Sequence, residues 1–229
     1  MSDFNVTVVG GKSVRLPTAN TWCENDIIIT ATGGTSGGNG ILPVGYTIVP
    51  SIKFTGKQAV DTGIICNQNT EIIAVFTVDY DISAYIYGVT NDTNTASITA
   101  YRSTSGGYWR FGNQRISLTT PVDEEIVWGI KQNKKRILRG NTASTYSTVN
   151  DFTAERTLVL GGRKVTDNTI EESTLLIGKI ISLEIYNGDN LVLKFIPCKN
   201  AEGICGFWDT VSEKFFVSMT NTPLEEDYL

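Results

Sequence analysis

KIISLEIYNGDNLVLKFI, residues 179–196, is the stretch that decides the fold. Isoleucine, leucine, valine, tyrosine and phenylalanine fill both halves, and Asn187-Gly188-Asp189-Asn190 separates them. Two apolar runs around Asn-Gly are the strongest short-range signature of a β-hairpin, since glycine takes the positive φ of a two-residue turn at no steric cost. The same texture continues in both directions. Segments 71–78, 84–89, 97–102, 108–111, 126–130, 136–139, 157–160 and 214–218 are rich in Val, Ile, Tyr, Phe and Thr. Asn91-Asp92-Thr93-Asn94 and Ser105-Gly106-Gly107 punctuate them as turns. Helical periodicity reaches one turn at most, near 151–155. Short strands at regular spacing with turn signals between them predict an all-β sandwich or barrel from Leu42 onward.

Upstream of Leu42 the texture changes. FNVTVV (residues 4–9) and IIITA (residues 27–31) read as short strands with Gly10-Gly11 as a turn between them. A β unit of this size is too small to bury a core of its own and calls for partners. TGGTSGGNG (residues 32–40) has the composition of a flexible linker. The expected division is a small attachment module over 1–31, a Gly/Ser-rich linker over 32–41 and a sandwich over 42–229. Gly10-Gly11-Lys12-Ser13 fails as a phosphate loop: the position five before the Gly-Lys pair holds Val6, and no helix follows.

Composition narrows the chemistry. The 229 residues carry a formal charge of -5, so acids outnumber bases. Duplex binding depends on Lys and Arg neutralising phosphates, which argues against nucleic acid as a partner. Histidine is absent, which removes Ser-His-Asp and Cys-His nucleophile systems and the commonest zinc ligand. No apolar run approaches the ~18 residues of a membrane span, and Met1-Ser2-Asp3-Phe4-Asn5 lacks the basic start of a secretory signal. The expectation is a chain made and folded in a cytoplasm, without membrane insertion, metal or cofactor. Cys23, Cys66, Cys198 and Cys205 show no C-x-x-C spacing. Cys198 and Cys205 can meet across a turn, but reduced thiols suit a reducing compartment.

Two segments carry a resemblance. Residues 42–64, LPVGYTIVPSIKFTGKQAVDTGI, resemble a module of phage and prophage virion proteins that also occurs in surface proteins of gut bacteria. The match lies in Leu42-Pro43, Gly45-Tyr46-Thr47, Thr55-Gly56, Gln58 and Asp61-Thr62-Gly63. Val60 replaces the usual aromatic, and Pro50-Ser51-Ile52 stands where a Glu-Tyr-Ile strand is usual. Residues 191–216, LVLKFIPCKNAEGICGFWDTVSEKFF, look like the closing segment of that module, with Gly206-Phe207-Trp208-Asp209 in its Gly-Leu-Tyr-Asp position. Lys12-Ser13-Val14, Pro17-Thr18-Ala19, Trp22-Cys23 and Asp26-Ile27 are similar to a second phage-associated motif. Together these cover about a third of the chain. The resemblance implies a laminin-G or concanavalin-like jelly roll whose first and last strands lie together. It also implies a virion protein, made in the host cytoplasm, such as a receptor-binding tail fibre or a decoration protein. Other virion proteins would be partners of the N-terminal module, and a homo-oligomer, for instance a trimer, fits the division of the chain.

Candidate site residues follow from strand alternation. Tyr108 and Arg110 share one face of their strand, and Trp109 and Phe111 share the other. The apolar pair suits a core. Tyr101, Tyr108 and Arg110 suit sugar recognition, because an aromatic ring beside a planar multi-donor guanidinium can stack on a sugar and hydrogen-bond it. Asn91, Asp92 and Asn94 form a polar turn able to contribute ligand contacts. Asp61 and Asp209 suit strand ends, where carboxylates accept backbone N–H groups. Retaining glycoside hydrolysis would need two carboxyl groups about 5–5.5 Å apart. Asp79 with Asp81 and Asp123 with Glu125 are the nearest pairs, and both read as solvated turns, so no catalytic residue is assigned. Lys131, Lys134, Lys135, Arg136 and Arg139 read as a charged hairpin at a sheet edge, or as a contact for an anionic polymer or an acidic neighbour.

Overall fold

The computed structural model describes residues 42–78, 83–91, 96–103, 106–118, 126–131, 136–139, 142–145, 150–166 and 169–227. The expected module over 1–31 and linker over 32–41 lie outside them, as do Asp79, Asp81, Asp92, Asn94, Asp123 and Glu125. The strands up to the first long hairpins are β1 Thr47–Ile48, β2 Ile52–Thr55, β3 Val60–Asn67, β4 Thr70–Val78, β5 Ala84–Val89 and β6 Ile98–Ser103. Then come β7 Gly106–Phe111, β8 Gln114–Leu118, β9 Ile126–Lys131, β10 Arg136–Arg139, β11 Thr142–Thr145 and β12 Thr153–Leu160. A single 3-10 turn, Glu172–Thr174, precedes β13 Ile177–Asn187, β14 Asn190–Lys199, β15 Cys205–Asp209, β16 Lys214–Phe216 and β17 Glu225–Glu226.

These strands form two antiparallel sheets. The larger runs β11-β10-β9-β4-β13-β14-β15-β16, with β1 on β14, β2 on β13 and β17 on β2. The smaller runs β3-β12-β5-β6-β7-β8. The jelly-roll expectation holds, and so does its closure. Thr47 and Ile48 pair with Lys199 and Cys198, and the final Glu225 and Glu226 pair with Lys53 and Ile52. Between the sheets lies one apolar core that includes Phe54, Phe76, Tyr87, Trp109, Phe111 and Phe195, each fully or almost fully buried. Alternation along β7 buries Trp109 and Phe111, as their spacing requires.

The deciding hairpin forms β13 and β14. Asn187 pairs with Asn190, which leaves Gly188 and Asp189 as the loop. Gly188 takes a φ of 61° at the first loop position, where both favoured hairpin turns need a positive φ. Its N–H donates to the Asn69 carbonyl, which ties this turn to the one joining β3 and β4.

Two expectations are corrected and one, the free thiols, holds. Residues 151–155 make no helical turn, and Thr153 onward is already strand β12, whose ladder to β3 takes up the backbone groups. The basic hairpin is not the sheet edge, because β10 is paired on both sides and β11, the sequence TAST, stands outside it. Cys198 and Cys205 do not face each other. Cys198 pairs with Gly206 and Cys205 with Lys199, so strand alternation sends the two side chains to opposite faces, and both thiols are free.

Candidate functional site

Strands β5, β6, β7 and β8 set the site by their register. Tyr85 pairs with Tyr101, Tyr101 with Tyr108, and Tyr108 with Ser117. Residues directly opposite in an antiparallel ladder share a face. Trp109 and Ala100, on the alternate positions, fill the core, so the tyrosine row stands on the outer face of the smaller sheet. The ring centroids are 4.7 Å apart for Tyr85 and Tyr101 and 4.8 Å for Tyr101 and Tyr108. The Tyr85 and Tyr108 hydroxyls lie 3.2 Å apart.

A β-bulge makes the row possible. Tyr85 opposes Tyr101 but Tyr87 opposes Ala100, so Ile86 is the extra residue. Strict alternation would have placed Tyr85 and Tyr87 on one face. The bulge instead turns Tyr85 outward and sends Ile86 and Tyr87 into the core. The Ile86 carbonyl is satisfied by the Gly161 N–H at 2.7 Å.

Residues following β12 cover one side of this face. Lys164 donates its N–H to the Gly88 carbonyl, and Ala59, Val159 and Leu175 form a small second apolar cluster beneath the cover. At its margin the Arg163 guanidinium lies over the Tyr85 ring, 4.7 Å from the centroid, and its outer end is ion-paired to Glu171. Gly88 gives it room: a Cβ there would stand 3.0 Å from the Arg163 Cβ. On the open side the Arg115 guanidinium lies over Tyr108 at 4.1 Å. Two guanidinium planes thus bracket three tyrosines. Tyr85 is 4% exposed, whereas Tyr101 and Tyr108 are half-buried and reach solvent. Burial, followed by the neighbouring Tyr108 hydroxyl, raises the Tyr85 pKa well above the usual phenol range.

Tyr101, Tyr108 and Arg110 are therefore brought together, with Arg110 one row along from the tyrosines, opposite Thr99 and Arg115. Asn91 is not part of the row. It lies beyond β5, and its side-chain oxygen accepts the Ala96 N–H at 3.2 Å, holding its own loop. Tyr85, Arg115 and Arg163 escape a reading by alternation. The first is hidden by the bulge, and the other two come from an unremarkable polar strand and from a loop.

Asp61 and Asp209 act as structural acceptors. Asp61 accepts the Gly63 N–H at 3.0 Å, the Thr157 hydroxyl at 2.9 Å and the Lys164 ammonium at 2.6 Å. Burial pushes its carboxyl up, but these three partners outweigh burial and hold the pKa below the ordinary value. Elsewhere, a cleft of about 700 Å³ is lined by residues including Gly45, Lys53, Lys199, Cys205, Glu226 and Asp227. Its charges are largely answered within the chain, by Lys199–Glu226 and Lys179–Asp227, so the tyrosine face is the stronger candidate. No cluster of metal-ligating side chains occurs among the described residues.

The fold is a jelly-roll sandwich of two antiparallel sheets carrying an aromatic and cationic patch on one outer face. No protein-family model matches the chain, and no curated protein sequence matches it. Solved structures do. The full extracellular region of zebrafish Gpr126/Adgrg6 is similar with a TM-score of 0.50 and 12% identity, over 78% of this chain and 26% of that one. Domains LG4-5 of the mouse laminin alpha1 chain give 0.43 and 15%, over 63% and 44%. The CBM40 of Ruminococcus gnavus IT-sialidase, bound to alpha2,3 sialyllactose, gives 0.42 and 11%, over 62% and 91%. Such identities speak to the fold alone.

Proposed function

We propose that this chain is a lectin-like binding protein that holds a cell-surface glycan on the outer face of its smaller sheet, without catalysing a reaction. The observation that carries the reading is the row Tyr85, Tyr101 and Tyr108 bracketed by the Arg163 and Arg115 guanidinium groups. Half-exposed rings offer apolar surface to the C–H face of a sugar, and guanidinium edges offer several fixed donors to its hydroxyls. Binding without hydrolysis fits the state of two described acids beside the cover, Asp61 and Glu171, each of which is held by a cation.

The finer assignment is a phage-type virion protein. It rests on the resemblance of residues 42–64 and 191–216, which meet in the sandwich through the pairing of β1 with β14. In this assignment residues 1–31 attach to other virion proteins, residues 32–41 act as a joint, and the sandwich faces outward. Copies assembled as an oligomer would turn weak single-site binding into avidity. A second reading, decoration or tail scaffold without a glycan, is favoured by apolar side chains in solvent: Val44 is 93% and Ile48 is 50% exposed. Both flank Tyr46 in the sequence, and the Tyr46 ring packs against Trp208 and Phe215.

Binding of the full chain to intact host cells, and to cells stripped of surface polysaccharide, tests the proposal. Saturable binding that disappears on stripping is expected. Equal binding to both, or none even when the chain is clustered on beads, overturns glycan binding and leaves the decoration role. Detection of the chain in purified particles checks the virion assignment separately.

A further inference from the structure

Arg110 and Arg115 face each other directly across β7 and β8. Like charges in that position repel, since directly opposed Cβ atoms stand only about 4.5–5.5 Å apart. Elsewhere on this side of the molecule cations are answered: Lys164 by Asp61, and Arg163 by Glu171. Among the described residues, no carboxylate answers Arg110 or Arg115, and the contact made by Arg115 is the face of Tyr108. A chain of net charge -5 has thus concentrated two cations at one point on the candidate face.

A second observation sits beside the pair. Thr99 opposes Arg110 on β6 and is 2% exposed, yet its hydroxyl oxygen has no hydrogen-bond partner among the described residues. A buried hydroxyl without a partner carries a desolvation cost, so this position beside the arginine pair is not optimised for stability alone. The row Thr99, Arg110, Arg115 lies two residues along the strands from the row Tyr101, Tyr108, Ser117, a separation of about 6.8 Å. That is the scale of a sugar ring and one substituent. A ring over the tyrosines would therefore put its substituent at the arginine row.

We infer that the glycan bound on this face is acidic, and that Arg110 and Arg115 together hold its carboxylate or sulfate. The inference rests on the glycan-binding reading and specifies its ligand class. Guanidinium groups hold such anions by paired N–H···O bonds, and the anion removes the repulsion between the two arginines. Stacking on Tyr108 orients Arg115 without consuming its in-plane donors.

The test uses the full chain and two polymer pairs, polygalacturonate against its carboxyl-reduced form and dextran sulfate against dextran. The acidic member of at least one pair should bind more than about ten-fold tighter than its neutral partner, a difference of roughly 1.4 kcal/mol. Arg110→Gln with Arg115→Gln should abolish that preference without lowering the melting temperature, because it removes a repulsive pair. Lys57→Gln with Lys214→Gln, two exposed lysines elsewhere, removes the same charge and should preserve the preference. Whichever pair shows it separates carboxylate from sulfate. If neither acidic polymer binds better than its neutral partner, or if the preference is lost equally in the lysine variant, the inference is overturned. Either result leaves cell-surface glycan binding intact, whereas chain that ignores stripped and unstripped cells alike fails both.

Discussion

Asp209, 2% exposed at the end of β15, accepts the backbone N–H groups of Lys194, Val211 and Ser212 and the Ser212 hydroxyl. Asp209→Ala strands those donors, and urea unfolding at unchanged slope should show a loss of about 2–3 kcal/mol. Asp61 gives a pH-dependent counterpart. Its folded pKa lies below the unfolded value of about 3.9. Its stabilisation is therefore present above that value and lost as pH falls through the folded pKa. Asp61→Asn should cost about 1–2 kcal/mol at pH 7, the partial exposure of the pair reducing what a buried pair would lose. The gap to the native chain should close below about pH 4. Melting curves from pH 7 to 2 that run parallel for the two proteins would assign the stabilisation elsewhere. Burial pushes the Cys66 and Cys198 thiols up to about 12. A thiol reagent at pH 8 should label neither until the chain unfolds.

Among the elements, the β13–β14 hairpin depends on Gly188 for its turn. A Cβ there meets nothing within 4 Å, so Gly188→Ala isolates the backbone cost of a positive φ. That cost should be about 1 kcal/mol in thermal or urea unfolding, with Gly188→Asn recovering part of it. This hairpin was legible in the sequence because apolar runs and an Asn-Gly turn point the same way. Alternation likewise sorted Trp109 and Phe111 from Tyr108 and Arg110. It could not find Tyr85: AYIYGV offers no alternation, and the turnover at Ile86 comes from a bulge fixed by tertiary partners such as Gly161. The strands QRISL and TAST were missed because neither has a run of apolar β-formers, and their pairing partners give them their conformation. Arg163 reaches the site from a loop distant in sequence, so only the folded chain brings it over Tyr85.

At the scale of the whole molecule, the two sheets divide the labour. The larger closes the sandwich by bringing the beginning and end of the described chain together, and the smaller presents the tyrosine and arginine rows on its outer face. Its open side, β6 to β8, is where a ligand can approach, because the residues after β12 cover the other side. Glycan binding on this face is the proposal everything else depends on. The most direct measurement compares the affinity of the full chain for extracted host surface polysaccharide with that of two variants. Tyr101→Ala with Tyr108→Ala removes the open end of the row, and Glu184→Ala with Lys194→Ala removes a surface ion pair on the other sheet. The tyrosine variant should lose about ten-fold or more, since stacking of aromatic rings contributes roughly 1 kcal/mol or more each, and the control should keep near-native affinity. Full affinity in the folded tyrosine variant would contradict glycan binding on this face.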